Sequence, residues 1–530
     1  MKNFVLKLTM TAALVAMAGS ATAGGFVGGI FKENAAYKNV KGPVYSTYAV
    51  NSACNATSPA VTVTVNTQNV LRPATPPGIF GFTLDWYWFQ LGYLQNNTPL
   101  SQVVSWLAPL KGATYRYSGG NQFVWSNAVG SIANRKPIGD GFFGNQMPLF
   151  GPAEFFNFLK TVNGQAVILM NVADYPLDEN QMVQDNMAYL KWLATNGPHC
   201  VSGPNCPITY FELGNELDTP QTAPIQQYSA AQYIARVKPL ILAAKAAYPG
   251  IKFAVLGRTA PWGGETDSAG QNFDQVVSSQ LASIADAVTI HPYYDGIDIP
   301  GVQSYIDRLA NLYHAINPAV KILVTEHARW PSMPATGPWQ NNWYQGSGTG
   351  GGLSTADFLL MSMTDPNVIG TEWQTLATMG PWELIHKDAA TNTVYPSGVY
   401  WAARTLREGF LNDVVQVSPA TVSGTSYYGG YDIRMVAMKN STGNTSLMGV
   451  NRSGIARVLT LKTKGIPPGT VKMEVAVTQG DQIGTDNIDT NQNKFYMKTA
   501  TYNYSPVTSA PGVCIPPYST FSIILGDRYK

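Results

Sequence analysis

Several acidic residues in this 530-residue chain stand at the ends of short apolar runs, and two of them have neighbours suited to chemistry. Glu216 closes Tyr-Phe-Glu-Leu-Gly-Asn-Glu (210–216), directly after Asn215, and Glu326 follows Lys-Ile-Leu-Val-Thr (321–325). Two carboxyl groups flanking one bond can cleave a glycosidic linkage. One protonates the leaving oxygen while the other stands across the sugar. At a separation near ~5 Å the second carboxylate becomes a nucleophile and the anomeric configuration is retained. The acid must keep its proton near neutral pH, which burial and a nearby negative charge achieve. Arg116, in Tyr-Arg-Tyr-Ser-Gly-Gly-Asn (115–121), and His291-Pro292-Tyr293-Tyr294 supply polar groups at equivalent places. Trp86, Trp88, Trp125, Trp262, Trp330, Trp339 and Trp343 exceed what a core needs, and indoles stack on the apolar faces of sugar rings. Half of them are expected to line subsites and half to pack the core.

Other candidates read more plainly. Glu212 and Glu372 are expected to be supporting carboxylates. His327 adjoins Glu326, but neighbours on a strand point to opposite faces, so no metal is expected there. His199 beside Cys200 lacks a second ligand pair at zinc spacing. Arg329 and Arg258 read as rim charges, or one of them pairs with a carboxylate on the substrate. The glycine-rich stretch 346–352 lacks the lysine of a phosphate loop and is expected to be a flexible loop beside the site.

These residues need a scaffold that brings them together. Between about residues 78 and 411 a short apolar run followed by a segment of helical period recurs eight times. The runs are 78–84, 113–117, 165–171, 208–213, 252–256, 287–291, 321–325 and 368–373. Helices are expected at 152–162, 179–195, 230–247, 302–315 and 397–410, among others. Runs such as AVILMNV lack alternation, as strands buried on both faces should. Eight such units predict an α/β fold, a closed (β/α)₈ barrel with reactive groups where strands end. An open doubly wound sheet would call for a glycine-rich turn after the first strand, where Asp85-Trp86-Tyr87-Trp88 stands instead.

Beyond Leu411 the helical period stops. Alternating stretches such as YDIRMVAMKN and VKMEVAVT, set between Gly, Asn and Pro clusters, predict an antiparallel β-sandwich. AVTVTVN (60–66) alternates in the same way and is expected to add a strand to it. The expected divisions are 1–23, 24–75 joining the sandwich, 76–411 as the barrel and 412–530 as the sandwich. Residues 1–23, with Lys2, Lys7, an apolar run and Ala-Thr-Ala, have the layout of a secretory signal peptide. Removing it leaves 32 basic and 32 acidic residues from the original 34 and 32, and a neutral chain has no field to draw a polyanion. At 45% hydrophobic residues the chain is not disordered. The four cysteines suggest a Cys200–Cys206 bridge across a short loop, leaving Cys54 for Cys514.

Taken together, the Asn-Glu ending of 210–216, Val-Thr-Glu-His (324–327), His291-Pro292-Tyr293 and Arg116 resemble the large clan of retaining (β/α)₈ glycoside hydrolases. The wording is nearest to families 51, 39 and 79, the arabinofuranosidase, xylosidase and glucuronidase or heparanase types. The resemblance implies Glu216 as acid/base, Glu326 as nucleophile and Asn215 on the sugar 2-hydroxyl. It makes Arg116 and Tyr293 partners of Glu326, and His291 and Trp373 the floor of the sugar site. Trp86 and Trp330, by stacking, and Arg329, by charge, are expected as further substrate contacts. The expected protein is therefore a secreted or periplasmic retaining hydrolase of a polysaccharide or oligosaccharide. It needs no cofactor, binds no nucleic acid and has no membrane span. An inactive carbohydrate-binding barrel and a transglycosylase are the alternatives, and the sequence leaves the oligomeric state open.

Overall fold

The eight apolar runs close on themselves. Each of the strands Gly81–Thr83, Thr114–Tyr117, Gln165–Met170, Ile208–Leu213, Phe253–Leu256, Ala287–Ile290, Lys321–Arg329 and Val368–Trp373 pairs in parallel with the next. The eighth returns to the first through Glu372–Gly81 and Trp373–Phe82. The computed structural model describes residues 53–526, apart from 118, 141–143, 174–177, 222–224, 260–267, 295–298, 330–345, 378–381, 389–392, 425–429, 467–470, 480–495 and 505–511. The expected signal peptide, 1–23, lies outside these residues, as do Trp262, Trp330, Trp339 and Trp343.

Local sequence sets the helix boundaries. Glu179–Thr195 starts at Asp178 and Ala230–Ala247 at Ser229, both with a glutamine three residues on that completes a capping box. Pro152–Val162 begins with proline, whose missing N–H costs nothing at that position.

The helix after the seventh strand departs from expectation. The glycine-rich stretch is not a flexible loop: Thr349–Thr364 is helical and buried from Thr349 to Met363. A Cβ on Gly352 would stand 2.9 Å from the carbonyl of Gly398, so glycine there lets this helix meet the helix Gly398–Gly409 closely. It lies between the barrel and a second sheet.

That sheet contains the C-terminal strands and Ala60–Arg72. The latter pairs antiparallel with Asp413–Ser418 and parallel with Arg457–Lys464, so the sandwich is mostly, not wholly, antiparallel. Val63, Val65, Ile433, Met435, Leu459, Leu461, Phe521 and Ile523 fill its own core. Val436, Met438, Met448 and Val450 face the other way and join the core of the barrel. Arg72 reinforces the join by donating to the carbonyls of Ser362, Met363, Asp365 and Val368 at the end of the buried helix. Cys54–Cys514 and Cys200–Cys206 are bonded, with Cα separations of 5.8 and 5.7 Å. Among the described residues no helix is long and apolar enough to cross a membrane.

Candidate active site

The fourth strand ends in a turn that only a few residues tolerate. Gly214 has φ +83° and Glu216 itself has φ +51°. A non-glycine residue in that left-handed region costs roughly 1–3 kcal/mol and persists only when its surroundings enforce it. The result aims Glu216 across the barrel mouth, where it is 7% exposed.

Glu326 reaches the same point from the seventh strand and is 8% exposed. Arg116 Nη1 donates to its Oε1 at 2.7 Å, and the Tyr293 hydroxyl donates to its Oε2 at 2.7 Å. Arg116 also binds Asn215 Oδ1 through Nη2 at 2.7 Å and Glu212 through Nε at 2.5 Å. One guanidinium thus orients two carboxylates and an amide. His291 Nδ1 lies 2.8 Å from Glu216 Oε1 and 3.8 Å from Glu326 Oε2. Its Nε2 contacts Thr325 Oγ1 at 3.0 Å, and Thr325 in turn donates to Glu212 Oε1 at 2.6 Å.

Charge on these groups follows from burial and company. Burial opposes a positive His291, but Glu326, Glu212 and Glu216 outweigh it and raise its pKa to about 10. Burial likewise works against a charged Glu212, yet Arg116 and His291 hold its carboxyl below the usual range. Glu372 differs. Burial, with Glu212 adding to it, pushes its carboxyl well above the usual range, and neither oxygen meets a hydrogen-bond partner among the described residues. It occupies room left by glycines: a Cβ on Gly81 would stand 3.1 Å from Glu372 Cγ, and one on Gly370 3.4 Å from Oε1.

Glu216, His291 and Glu326 each place one possible ligand atom within 4.8 Å of the others. The donor chemistry fits a proton better than a cation, because His291 retains its proton to about pH 10 and Arg116 already neutralises Glu326.

The structure brings Glu216, Asn215, Glu326, Arg116, His291 and Tyr293 together, and separates other expected site residues from them. Trp373 is 1% exposed and packs edge-on to His327, centroids 5.8 Å apart. Strand alternation gives the inward place at the end of its strand to Glu372, so Trp373 does not form the floor of the cluster. Arg329 is 0% exposed, not a rim charge, because the seventh strand continues four residues past Thr325 and keeps it in the barrel wall. Trp86 is buried beside Tyr87 and Phe123, and Trp125 stacks on Tyr189. His327 is a core residue: Tyr294 and Phe358 flank it, and burial lowers its pKa to about 3. Sequence reasoning missed Thr325, Gln221, Trp382 and the bridging role of Asn121. Trp382 lies 5.2 Å from the Tyr293 ring and donates to the Arg329 carbonyl, but it sits in a long loop with no periodic signal.

Searches with the sequence find no matching family model and no matching curated protein. The fold has relatives among solved structures. An α-L-arabinofuranosidase from Thermotoga maritima in complex with arabinose superposes with a TM-score of 0.71 at 16% identity, covering 87% of this chain and 99% of that one. A family 51 arabinofuranosidase from Xanthomonas axonopodis pv. citri gives 0.68 at 16%, covering 88% and 99%. A family 44 xyloglucanase from Paenibacillus polymyxa gives 0.57 at 13%, covering 88% and 100%. The chain therefore has the barrel-and-sandwich fold found in these proteins over nearly their whole length. At such identities the likeness is one of fold, and the chemistry has to be argued from the site.

Proposed function

We propose that this chain is an exported, retaining glycoside hydrolase that works by double displacement. The observation that carries the reading is the approach of Glu216 and Glu326 to within 4.8 Å, with Glu326 bound by both Arg116 and Tyr293. Retaining enzymes hold their carboxyl groups at about 5–5.5 Å, while inverting ones need about 6.5–9.5 Å to admit water.

In the first step Glu326 attacks the anomeric carbon and Glu216 gives its proton to the departing oxygen. In the second, Glu216 takes a proton from water as that water displaces Glu326 from the sugar. Arg116 and Tyr293 hold the two oxygens of Glu326 in place and aim it. The hydrogen bond between Glu216 and His291 Nδ1 holds one proton, so a source lies beside the acid before substrate arrives. Asn215, oriented by Arg116, is placed to meet the sugar 2-hydroxyl. An inactive binding barrel would have no use for a carboxylate so tightly held between a guanidinium and a phenol. The two disulfides suit an oxidising compartment.

Since several fold relatives are arabinofuranosidases, aryl α-L-arabinofuranosides are the first substrates to try, followed by xylosides and glucuronides. The decisive experiment incubates the protein with a slowly turned-over glycoside and measures its mass after acid quench. An added glycosyl group on the peptide containing Glu326, absent from Glu326→Gln, supports the reading. Turnover without any adduct, giving product of inverted configuration, would overturn it.

A further inference from the structure

We infer that Asn121 and Gln221 form a clamp that fixes the backbone of Glu216 in its left-handed conformation, and so act as positioning residues for proton transfer. The inference rests on Glu216 being the acid/base. The direction of a side chain follows from the two peptide planes on either side of its Cα. Both planes at Glu216 are pinned by side chains, one from the second-strand loop and the others from the residues just after Glu216. On the preceding side, Asn121 behaves like a strand partner: its Oδ1 accepts from the Asn215 N–H at 2.7 Å and its Nδ2 donates to the Asn215 carbonyl at 2.6 Å. On the following side, the Glu216 carbonyl accepts from Gln221 Nε2 at 2.5 Å and from the Thr219 hydroxyl at 2.8 Å. The halves are joined, because Asn121 Nδ2 also donates to Gln221 Oε1 at 3.2 Å.

Asn121 can reach Asn215 because of the turn before it. Gly119 and Gly120 have φ +95° and +71°, and a Cβ on Gly119 would overlap Asp85 Oδ2. That turn leads the second-strand loop over the end of the fourth strand. The buried amide of Asn121, 4% exposed, uses both its oxygen and its nitrogen in the clamp. Without the clamp, the φ of Glu216 is free to relax towards the ordinary negative region, which turns its carboxyl away from the leaving oxygen.

The test compares Asn121→Ala, Gln221→Glu and Glu216→Ala by kcat/KM on two aryl glycosides of the same sugar, one with a dinitrophenolate and one with a phenolate leaving group. Gln221→Glu keeps the size and removes the amide donor to the Glu216 carbonyl, leaving the weaker contacts from Thr219. For each clamp variant the expected loss is about 10- to 100-fold on the phenyl glycoside, as for a group displaced by about 1 Å. On the dinitrophenyl glycoside, which needs no proton, the loss should stay within about threefold. Glu216→Ala should show the same split at larger amplitude. Equal losses on both substrates, or none, in folded clamp variants would overturn the clamp. A Glu216→Ala enzyme without the split would overturn the acid/base reading itself, a separate outcome. Should Asn121→Ala melt early, Gln221→Glu decides alone.

Discussion

Two buried charge clusters hold this molecule, and they are built on opposite principles. At the join of barrel and sandwich, Asp357 accepts from Arg434 Nε at 2.5 Å, Arg452 Nη1 at 2.9 Å and the Tyr431 hydroxyl at 2.7 Å. Both guanidiniums also lie over the Tyr431 ring. One carboxylate there meets two permanent cations, and no proton has to move. At the barrel mouth, the carboxyl groups of Glu212, Glu216, Glu326 and Glu372 share Arg116 and His291. Four carboxyls face one guanidinium, and protons on His291 and Glu372 offset most, though not all, of that excess. A surplus of cation makes a fixed joint, whereas a surplus of acid makes a site that stores protons.

The sharpest way to break this comparison is to remove one carboxylate from each cluster. Glu326→Gln should lower kcat/KM by at least about 10⁴-fold on every substrate, since no other carboxylate at the mouth is held to attack. Its melting temperature should change little by comparison. Asp357→Asn should do the reverse. It leaves Arg434 and Arg452 facing each other around a neutral amide, a loss of about 3–5 kcal/mol in stability by analogy with other broken buried pairs. Calorimetry and kinetics on the same two proteins check both halves. Should Asp357→Asn lose activity while keeping its melting temperature, the division of labour is wrong.

How far the sequence revealed these clusters depended on chain direction and distance. All eight barrel strands were legible, because apolar runs closed by turn residues report their own limits. Glu216, Glu326, Arg116, His291 and Tyr293 were legible because each stands at a fixed offset from a strand end. Trp373 and Arg329 were misplaced for different reasons. Alternation on the eighth strand gives the inward place to Glu372 and turns Trp373 away from it, whereas the seventh strand runs on to Arg329 and keeps it in the wall. The Asn121–Gln221 clamp could not be read at all, because it joins residues 100 apart through geometry created by a glycine turn. The parallel pairing of Ala60–Arg72 with Arg457–Lys464 was equally hidden, since alternation reports a half-buried strand but not its partner.

Proton storage at the mouth predicts a pH dependence. The pKa of His291 rises from 6.5 to about 10 on folding, so its contribution to stability is complete below pH 6.5 and is lost as pH climbs towards 10. Glu212, with a lowered pKa, contributes above its unfolded value of 4.5 and fades as pH falls through its folded one. Melting temperature should therefore decline between pH 6.5 and 10, and His291→Gln should flatten that decline. An unchanged slope in His291→Gln would mean that the imidazole is neutral and that the proton count of the mouth is one too high.

Glu372 offers the smallest effect and the finest test of the same idea. An ionised carboxylate wholly buried beside Glu212, with no hydrogen-bond partner among the described residues, would be among the costliest groups in the protein. The neutral acid removes most of that cost, and the two glycines around it leave room for its bulk without supplying a partner. Glutamine has the same shape and no charge, so Glu372→Gln should change stability by no more than about 1 kcal/mol and kcat/KM by less than about threefold at neutral pH. The variant should also lose any alkaline instability that comes from ionising this acid. A drop in activity comparable to that of Glu216→Ala would show that Glu372 ionises during turnover. It would then count as a working carboxylate, and the proton surplus of the mouth would be divided differently from the one drawn here.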